Sequence, residues 1–203
     1  MRNSEKRMAG DYEIIQSVYV GDKEVVLGEN LADTSGGKYL CSLCQHSDWG
    51  GYLKLRLSPS QKEEIFTSNS YLETMRIFGE RIVKQTEKVQ QELLAAEEQG
   101  VSVVPLSAAD CVSLSPSDNL EGRIIVIRAD VLRREYQMAT HQLKYCTGGF
   151  GAAPNNRGSA IFCIDLFSGK ESRFERRDVL GTMTPEMLPE WAKQGLSNIQ
   201  REM

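Results

Sequence analysis

The feature that most constrains this chain is a long amphipathic run over residues 71–99. Apolar residues recur there at spacings of three, four and seven, with no proline between them: Tyr71, Met75, Phe78, Ile82, Val89 and Leu93. Ser70 with Glu73 three residues later is typical of a capping box at a helix start, and Gly100 is typical of a helix end. The pattern predicts one long helix whose apolar face must be buried against another element.

The segment before this helix predicts a small antiparallel sheet. Residues 12–20 and 24–27 flank the turn at residues 21–23, which indicates a hairpin. Further strands are expected at residues 38–44 and at residues 52–57, where apolar and basic residues alternate. We expect the long helix to pack on this sheet. A homodimer formed through the helix is the alternative that the pattern leaves open.

A second unit follows a stretch with few charges and two prolines. Residues 101–120 therefore predict a linker between a first unit over residues 1–100 and a second over residues 121–203. Strands are expected in the second unit at residues 123–128, 142–147, 159–166 and 171–176, and a closing helix at residues 185–196. The predicted fold class is α+β: an antiparallel hairpin sheet backed by one long helix, then a small antiparallel β unit with a terminal helix.

Charge and composition exclude several classes of protein. The 203 residues carry a formal net charge of -4, so no global basic field attracts nucleic acid and any anion site must be local. The amino terminus shows no apolar run after its basic residues, and no stretch is apolar enough to span a membrane. Five cysteines without a secretion signal fit reduced thiols. We therefore expect a cytoplasmic protein with no membrane contact.

A loop rich in glycine and asparagine separates two apolar runs in YCTGGFGAAPNNRGSAIFCIDL, residues 145–166. A phosphate-binding P-loop needs Gly-Lys-Ser/Thr leading into a helix, whereas this loop leads into the strand predicted from Ser159. The dinucleotide fingerprint fails as well, because Pro154 stands where its third glycine should be. We expect a structural turn in which Phe150 packs or projects. A loop that contacts a ligand or partner is the alternative.

Cysteine and histidine residues give weak evidence for a metal or catalytic site. Cys41 and Cys44 have CxxC spacing with His46 nearby, but no second pair of ligands follows. The helical context of a redox CxxC is also missing, so two apolar cysteines on a strand are favoured. His141 and Cys146 lack a third group that would specify a base and a nucleophile. We therefore expect no enzymatic activity, no metal and no cofactor.

A local basic patch is the strongest candidate for a binding site. Residues 121–178 contain ten basic and seven acidic residues. The candidate binding residues are Arg157, Arg173, Phe174, Arg176, Arg177 and Phe150. Arginines beside an aromatic ring can bind phosphate and stack on a base. The same charges could instead meet an acidic protein surface, or form an ordinary solvated sheet face.

The carboxy-terminal part of the chain resembles a short domain of accessory proteins from bacterial conjugative and integrative elements. The resemblance lies in HQLKYCTGGFGAAPNNRGSAIFCIDLFSGKESRFERRDVLGTMTPEMLPEWAK, residues 141–193. It comprises a Gln-Leu strand, a Thr-Gly-Gly-Phe-Gly loop, a Gly-turn hairpin, an Arg-Asp-x-x-Gly segment and a Leu-Pro-x-Trp-Ala helix. DYEIIQSVYVGDKEVVLGE, residues 11–29, is similar to the amino-terminal hairpin of such proteins. That family has no agreed biochemical activity, so the resemblance transfers no catalytic residue.

The resemblance implies a protein that acts by binding. Mobile elements of gut bacteria also carry inhibitors of type II CRISPR nucleases, an association by genomic neighbourhood rather than by motif. The implied function is therefore inhibition of a host defence nuclease, with an RNA-guided nuclease, its guide RNA or its target DNA as the partner. The alternative is a nucleic-acid-binding accessory or regulatory protein of a conjugative element that uses the same basic patch.

Overall fold

The protein contains two compact units, and the boundary between them follows Leu94. A computed structural model describes residues 7–32, 36–45, 65–98, 100–101, 104–154 and 157–202. The predicted α+β class is confirmed, because each unit contains an antiparallel sheet and helices. In the part of the chain so described, no helix has the length and apolar character needed to cross a membrane. The strand predicted at residues 52–57 lies outside the described residues.

The sheet of the first unit is an antiparallel meander, in which each strand pairs with its neighbours in sequence. Its described strands are β1 (Met8–Ala9), β2 (Tyr12–Val20), β3 (Lys23–Glu29), β4 (Tyr39–Gln45) and β5 (Ile65–Ser68). Val20 pairs with Lys23, so Gly21 and Asp22 form a two-residue turn, and Gly21 has a φ of 62°. Tight hairpin turns require such positive φ values, which glycine adopts without strain. The predicted hairpin is therefore confirmed.

One long helix, α1 (Tyr71–Glu98), packs on this sheet, as the apolar periodicity predicts. The cluster between them joins four helix residues to five strand residues: Met75, Ile77, Phe78 and Ile82 with Val25, Leu27, Cys41, Leu43 and Phe66. The strand members lie on the same face because alternate residues of a strand point the same way. Burial of these side chains is what holds α1 against the sheet.

Both ends of α1 follow the sequence signals. The Glu73 backbone N–H donates to Ser70 Oγ at 3.3 Å, although the Glu73 carboxylate accepts from Ser68 rather than from Ser70. At the other end Val101 N–H donates to the carbonyl oxygen of Ala96 at 3.1 Å. Gly100 has a φ of 75°, so this is a Schellman motif that ends the helix. The predicted start and end are confirmed.

A second face of α1 carries exposed apolar side chains. Leu72, Val83 and Leu94 recur every eleven residues, close to three helical turns, and each is more than half exposed. Gly79 lies on the same face, and a Cβ added there would meet no atom of the described structure within 4 Å. A second copy of the chain would pack along this face, and the homodimer stays a prediction.

Replacing Gly79 by alanine should stabilise the first unit. Glycine within a helix costs about 1 kcal/mol relative to alanine, and the added methyl group has open space. We expect the free energy of unfolding, measured by urea denaturation, to rise by about 0.5–1 kcal/mol. Gly100→Ala is the matched control and should destabilise, because its φ of 75° strains any other residue. A loss of stability on Gly79→Ala would contradict the open environment.

The strands and helices of the second unit, as far as it is described, are β6 (Val112–Ser113), β7 (Ile124–Ile127), α2 (Ala139–Gln142), β8 (Leu143–Gly148), β9 (Ala160–Asp165), β10 (Glu171–Glu175), β11 (Val179–Met183) and α3 (Glu190–Glu202). The strands form a six-stranded antiparallel sheet in the order β10-β9-β8-β7-β11-β6. The four strands predicted for this unit correspond to β7, β8, β9 and β10. Strands β6 and β11 have no counterpart among the strands predicted from the sequence.

The interpretation of residues 101–120 as a linker is wrong for the part that the structure describes. Strand β6 pairs with Gly181 and Thr182 of β11, and Leu120 is fully buried in the second unit. Two of the serines that suggested a linker lie in local turns: Ser107 with Asp110 caps a short helical turn, and the Ser115 N–H donates to the Asp118 carboxylate. The segment is therefore part of the second sheet and of its core.

The closing helix begins later than its predicted start at Pro185. A short 3-10 turn covers Pro185–Met187, and α3 follows at Glu190–Glu202. Leu188, which precedes Pro189, is extended with a ψ of 142°. A residue before proline avoids the helical region, so one continuous helix cannot pass through this position.

The two faces of the second sheet are covered differently. On one, the helix face, Leu188 and α3 pack on the sheet, with Leu188, Ala192, Leu196 and Ile199 against Ile124, Val126, Leu143, Leu166 and Met183. On the other, the loop face, irregular segments cover a second cluster: Leu120, Ile125, Ile127, Cys146, Ala152, Ile161, Cys163 and Val179. Strand β7 contributes alternate residues to both clusters, so it lies at the centre of the unit.

A partly buried histidine lies beside the second sheet. The His141 ring stacks on Tyr136 with centroids 4.1 Å apart, and its Nδ1 lies 2.9 Å from Thr140 Oγ1. Burial lowers the pKa of His141 from 6.5 to about 4, because the imidazolium would lose its hydration. The charged groups around it are Asp165, Lys144, Lys170 and Glu135, of which the carboxylates oppose this shift. His141 is therefore neutral in the folded protein near pH 7.

Stability should fall as the pH is lowered from about 6.5 to about 4, since the unfolded chain then binds a proton that folded His141 does not. We expect this group to contribute about 2–3 kcal/mol of that loss in the free energy of unfolding. Urea denaturation across this pH range, compared between the native chain and His141→Gln, isolates it from the carboxylates. If the free energy of unfolding had the same pH dependence in both proteins, this contribution of His141 would be contradicted.

Candidate binding surface

The glycine loop between β8 and β9 brings two arms of the chain into close contact. Gly149 has a φ of 110°, and a Cβ there would lie 2.5 Å from the carbonyl oxygen of Ala160. A Cβ on Gly151 would lie 2.1 Å from the carbonyl oxygen of Ser159. Any other residue at either position would collide with backbone. The expected structural turn between strands is confirmed.

Arg176 holds this loop in place. Both terminal nitrogens of its guanidinium donate to backbone carbonyl oxygens of two irregular segments. The acceptors are Gly151 at 2.9 Å and Ala152 at 3.3 Å in the loop, and Ser115 at 3.1 Å, Pro116 at 3.3 Å and Asp118 at 2.7 Å in the earlier segment. These bonds occupy both terminal nitrogens, so the structure gives Arg176 a role in holding the loop, and its role as a binding residue stays a prediction.

Phe174 does not share a surface with Arg173, although the two are adjacent in sequence. Successive residues of β10 point to opposite faces, and Phe174 packs against the loop-face cluster. The Lys144 Nζ lies 5.8 Å from the centroid of its ring. Arg173 instead pairs directly with Phe162 of β9, which is 42% exposed. Phe162, which is not among the predicted binding residues, is therefore the aromatic neighbour of Arg173.

The glycine loop extends this exposed surface. Phe150 is 71% exposed, and its Cβ would lie 2.6 Å from a Cβ on Gly158, so its base packs on the opposite arm. The Phe162 ring reaches within 3.2 Å of a Cβ built on Gly149, the residue before Phe150. We call Phe150, Phe162 and Arg173 the aromatic patch. Phe150 projects from the glycine loop, where Gly149 and Gly151 fix the close approach of the backbone, and Phe162 projects from strand β9.

The charge around the aromatic patch is mixed. Glu175 lies between two arginines, with one carboxylate oxygen 4.0 Å from Arg173 Nη2 and the other 3.3 Å from Arg177 Nε. Arg177 and Arg157 are both exposed. The Arg176 guanidinium is engaged by backbone carbonyl oxygens, and Glu175 offsets part of the charge of Arg173 and Arg177. This surface is therefore less basic than the number of its arginines suggests.

The two cysteines of the CxxC segment do not form a shared site. Cys41 and Cys44 lie three residues apart on β4, so their side chains point to opposite faces of the sheet. Cys41 lies in the cluster beneath α1, and burial raises the pKa of its thiol. His46 lies outside the described residues. Among the residues that are described, no group of three or more His, Cys, Asp or Glu side chains could hold a metal ion.

Comparison with known proteins adds no relative. No protein family matches the chain, and no curated protein or solved structure matches it. The resemblance to accessory proteins of conjugative elements therefore stays a prediction that rests on the quoted motifs.

Arg176→Ala should destabilise the second unit, whereas Arg173→Ala should not. Loss of the Arg176 guanidinium removes the donor to the carbonyl oxygens of Gly151 and Asp118, and bonds to charged groups contribute about 1.5–3 kcal/mol each. We expect a loss of about 3 kcal/mol in the free energy of unfolding, against about 0.5 kcal/mol or less for exposed Arg173. Urea denaturation of both variants tests this contrast, and equal losses would contradict it.

Proposed function

We propose that the protein acts by binding another protein through the aromatic patch, and that this partner is an RNA-guided nuclease of a bacterial defence system. Binding through the aromatic patch is inferred from the exposure of Phe150, which is 71% exposed at the tip of a loop that Arg176 holds. The identity of the partner rests on the resemblance to proteins of mobile elements. The proposal includes the expectation that the protein has no enzymatic activity of its own.

Exposed aromatic rings on a fixed backbone favour association. Removing a phenylalanine side chain from water contributes roughly 1.5–3 kcal/mol, and this gain is not available to Phe150 in the isolated chain. The loop glycines and Arg176 already restrict the backbone, so little conformational entropy is lost on binding. Aromatic and arginine side chains also carry a large share of the energy at protein interfaces. The aromatic patch has this composition.

The charge balance favours a protein over nucleic acid as the partner. Binding along a phosphate backbone depends on several cations that are free to replace counterions. Here Arg176 is engaged internally, and Arg173 and Arg177 share Glu175. A protein surface with both signs of charge and an apolar pocket can match this arrangement, with the ions at its rim.

A binding mechanism makes inhibition stoichiometric. Without turnover, each copy of the protein can occupy one nuclease at most, so inhibition saturates when the two concentrations become comparable. The partner's surface must accept two aromatic rings, Phe150 and Phe162, beside the Arg173 guanidinium.

Cleavage of target DNA by purified type II CRISPR nucleases with their guides tests the proposal. We expect cleavage to be lost at near-equal concentrations of the protein and one of these nucleases, with no gel shift of guide RNA or target DNA alone. Untouched cleavage across several nucleases, with a salt-dependent shift of free DNA or RNA, would overturn the proposal and favour the nucleic-acid-binding alternative.

Variants of the aromatic patch test the surface itself. Phe150→Ser and Arg173→Glu should each weaken inhibition at least about tenfold, as expected for residues central to an interface. Leu31→Ser is the matched control, because Leu31 is a similarly exposed apolar residue outside the patch and outside the exposed face of α1. If Leu31→Ser weakened inhibition and the patch variants did not, the surface assignment would be wrong.

A further inference from the structure

Two cysteines of the second sheet are direct cross-strand partners. Cys146 of β8 pairs with Cys163 of β9 in register. The Cys146 backbone N–H donates to the carbonyl oxygen of Arg123 on the opposite side, at 2.9 Å, so the two cysteines form a non-hydrogen-bonded pair. Cα atoms in such pairs are about 4.5 Å apart, which lies within the range that a disulfide spans, about 4.4–6.8 Å.

The two thiols are buried together beneath the loop face. Cys146 is 0% exposed and Cys163 is 1% exposed. The hydrogen bond from the Cys163 thiol lowers the pKa of Cys146, and the same bond together with burial raises the pKa of Cys163. Cys146 is therefore the better nucleophile of the two, and Cys163 lies next to it as a resolving thiol.

We propose that Cys146 and Cys163 form a reversible disulfide when a small disulfide oxidant reaches the loop face. The Cys146 thiolate attacks one sulfur of the oxidant, forms a mixed disulfide and releases one thiolate, which takes up a proton. The Cys163 thiol then loses its proton and attacks the Cys146 sulfur, which releases the second thiol. Two protein thiols are oxidised to one disulfide, and one oxidant disulfide is reduced to two thiols.

The glycine loop controls access to this pair. Ala152 belongs to the same buried cluster as both cysteines, and Arg176 donates to the carbonyl oxygens of Gly151 and Ala152. An oxidant larger than water can reach the sulfurs only when these loop residues move aside. Opening of the loop therefore limits the rate of oxidation.

The disulfide would lie directly beneath the aromatic patch. Cys163 follows Phe162 in β9, and Cys146 precedes the glycine loop that carries Phe150. A covalent tie between β8 and β9 would fix the spacing of these strands under the patch. An effect on nuclease inhibition rests on the proposed function, whereas formation of the disulfide does not.

Oxidation of the folded protein by oxidised glutathione, followed by peptide mass mapping, tests the proposal. We expect a Cys146–Cys163 disulfide to be the main product, to be reversed by dithiothreitol, and to form equally in Cys111→Ser. Cys163→Ala should instead stop at a Cys146–glutathione adduct, and circular dichroism would show that this variant is folded. If both thiols stayed reduced while Cys111 was modified, or if Cys146 paired with a different cysteine, the proposal would be overturned.

A second measurement tests the control of access. Arg176→Ala should oxidise at least about fivefold faster than the native chain, since the loop then opens more often. Unchanged rates would overturn the role of the loop. Oxidised and reduced protein are then compared in the nuclease assay. If neither form inhibits a nuclease, the proposed function fails, but the disulfide found by mass mapping still stands.

Discussion

The hydrogen bonds of the Arg176 guanidinium are the interaction on which the loop face of the second unit depends. The segments at Ser115–Asp118 and Gly151–Ala152 are irregular, so their carbonyl oxygens have no sheet ladder in which to be paired. Buried or half-buried carbonyl groups need donors from elsewhere. A planar guanidinium can serve two segments at once, whereas a lysine ammonium would supply a single point charge. One side chain therefore positions the cover of the core and the loop that presents Phe150.

The alternation of side chains along β9 and β10 places exposed aromatic and arginine side chains on one face of the sheet and buried side chains on the other. Phe162 and Arg173 point outward on one face, while Cys163 and Phe174 point into the buried cluster on the other. A register slip of one residue would move each strand's side chains to the opposite face. It would put the Cys163 thiol on the surface and the Phe162 ring in the core. The candidate binding surface and the thiol pair therefore depend on the same strand register.

The helices and strands that the sequence predicted are those whose buried positions can be identified from the pattern of apolar residues within the element itself. The period of α1 and the apolar run of β7 show directly which residues must be buried, and the structure follows both. Strand β11 escaped prediction because Gly181 argues against a strand by propensity. That glycine is required by tertiary contact, since a Cβ there would lie 2.6 Å from the carbonyl oxygen of Val112.

The candidate site also combines a feature with a local sequence signal and a feature that long-range contacts decide. Phe162 could have been predicted as the neighbour of Arg173 once a turn register was assumed. A turn that places Asp165 opposite Lys170 pairs Phe162 with Arg173, whereas a shift of one residue would pair it with Ser172 or Phe174. The role of Arg176 could not have been predicted, because its acceptors in the earlier segment lie 58 to 61 residues away in sequence. Adjacent arginines look alike in a sequence, and long-range contacts decide which of them is available at the surface.

A buried ion pair sets the register on which the aromatic patch relies. Lys144 and Asp165 are paired across β8 and β9 with side chains only 6% exposed. Such a pair contributes little net stability compared with apolar residues of similar size, because both charges lose their hydration. The second carboxylate oxygen of Asp165 accepts the N–H groups of Phe167 and Ser168, at 2.9 and 2.8 Å, and so shapes the turn into β10. Shifting the turn by one residue would break the ion pair and leave a buried charge alone, at a cost of about 3–5 kcal/mol. The pair thus selects the one register that places Arg173 opposite Phe162.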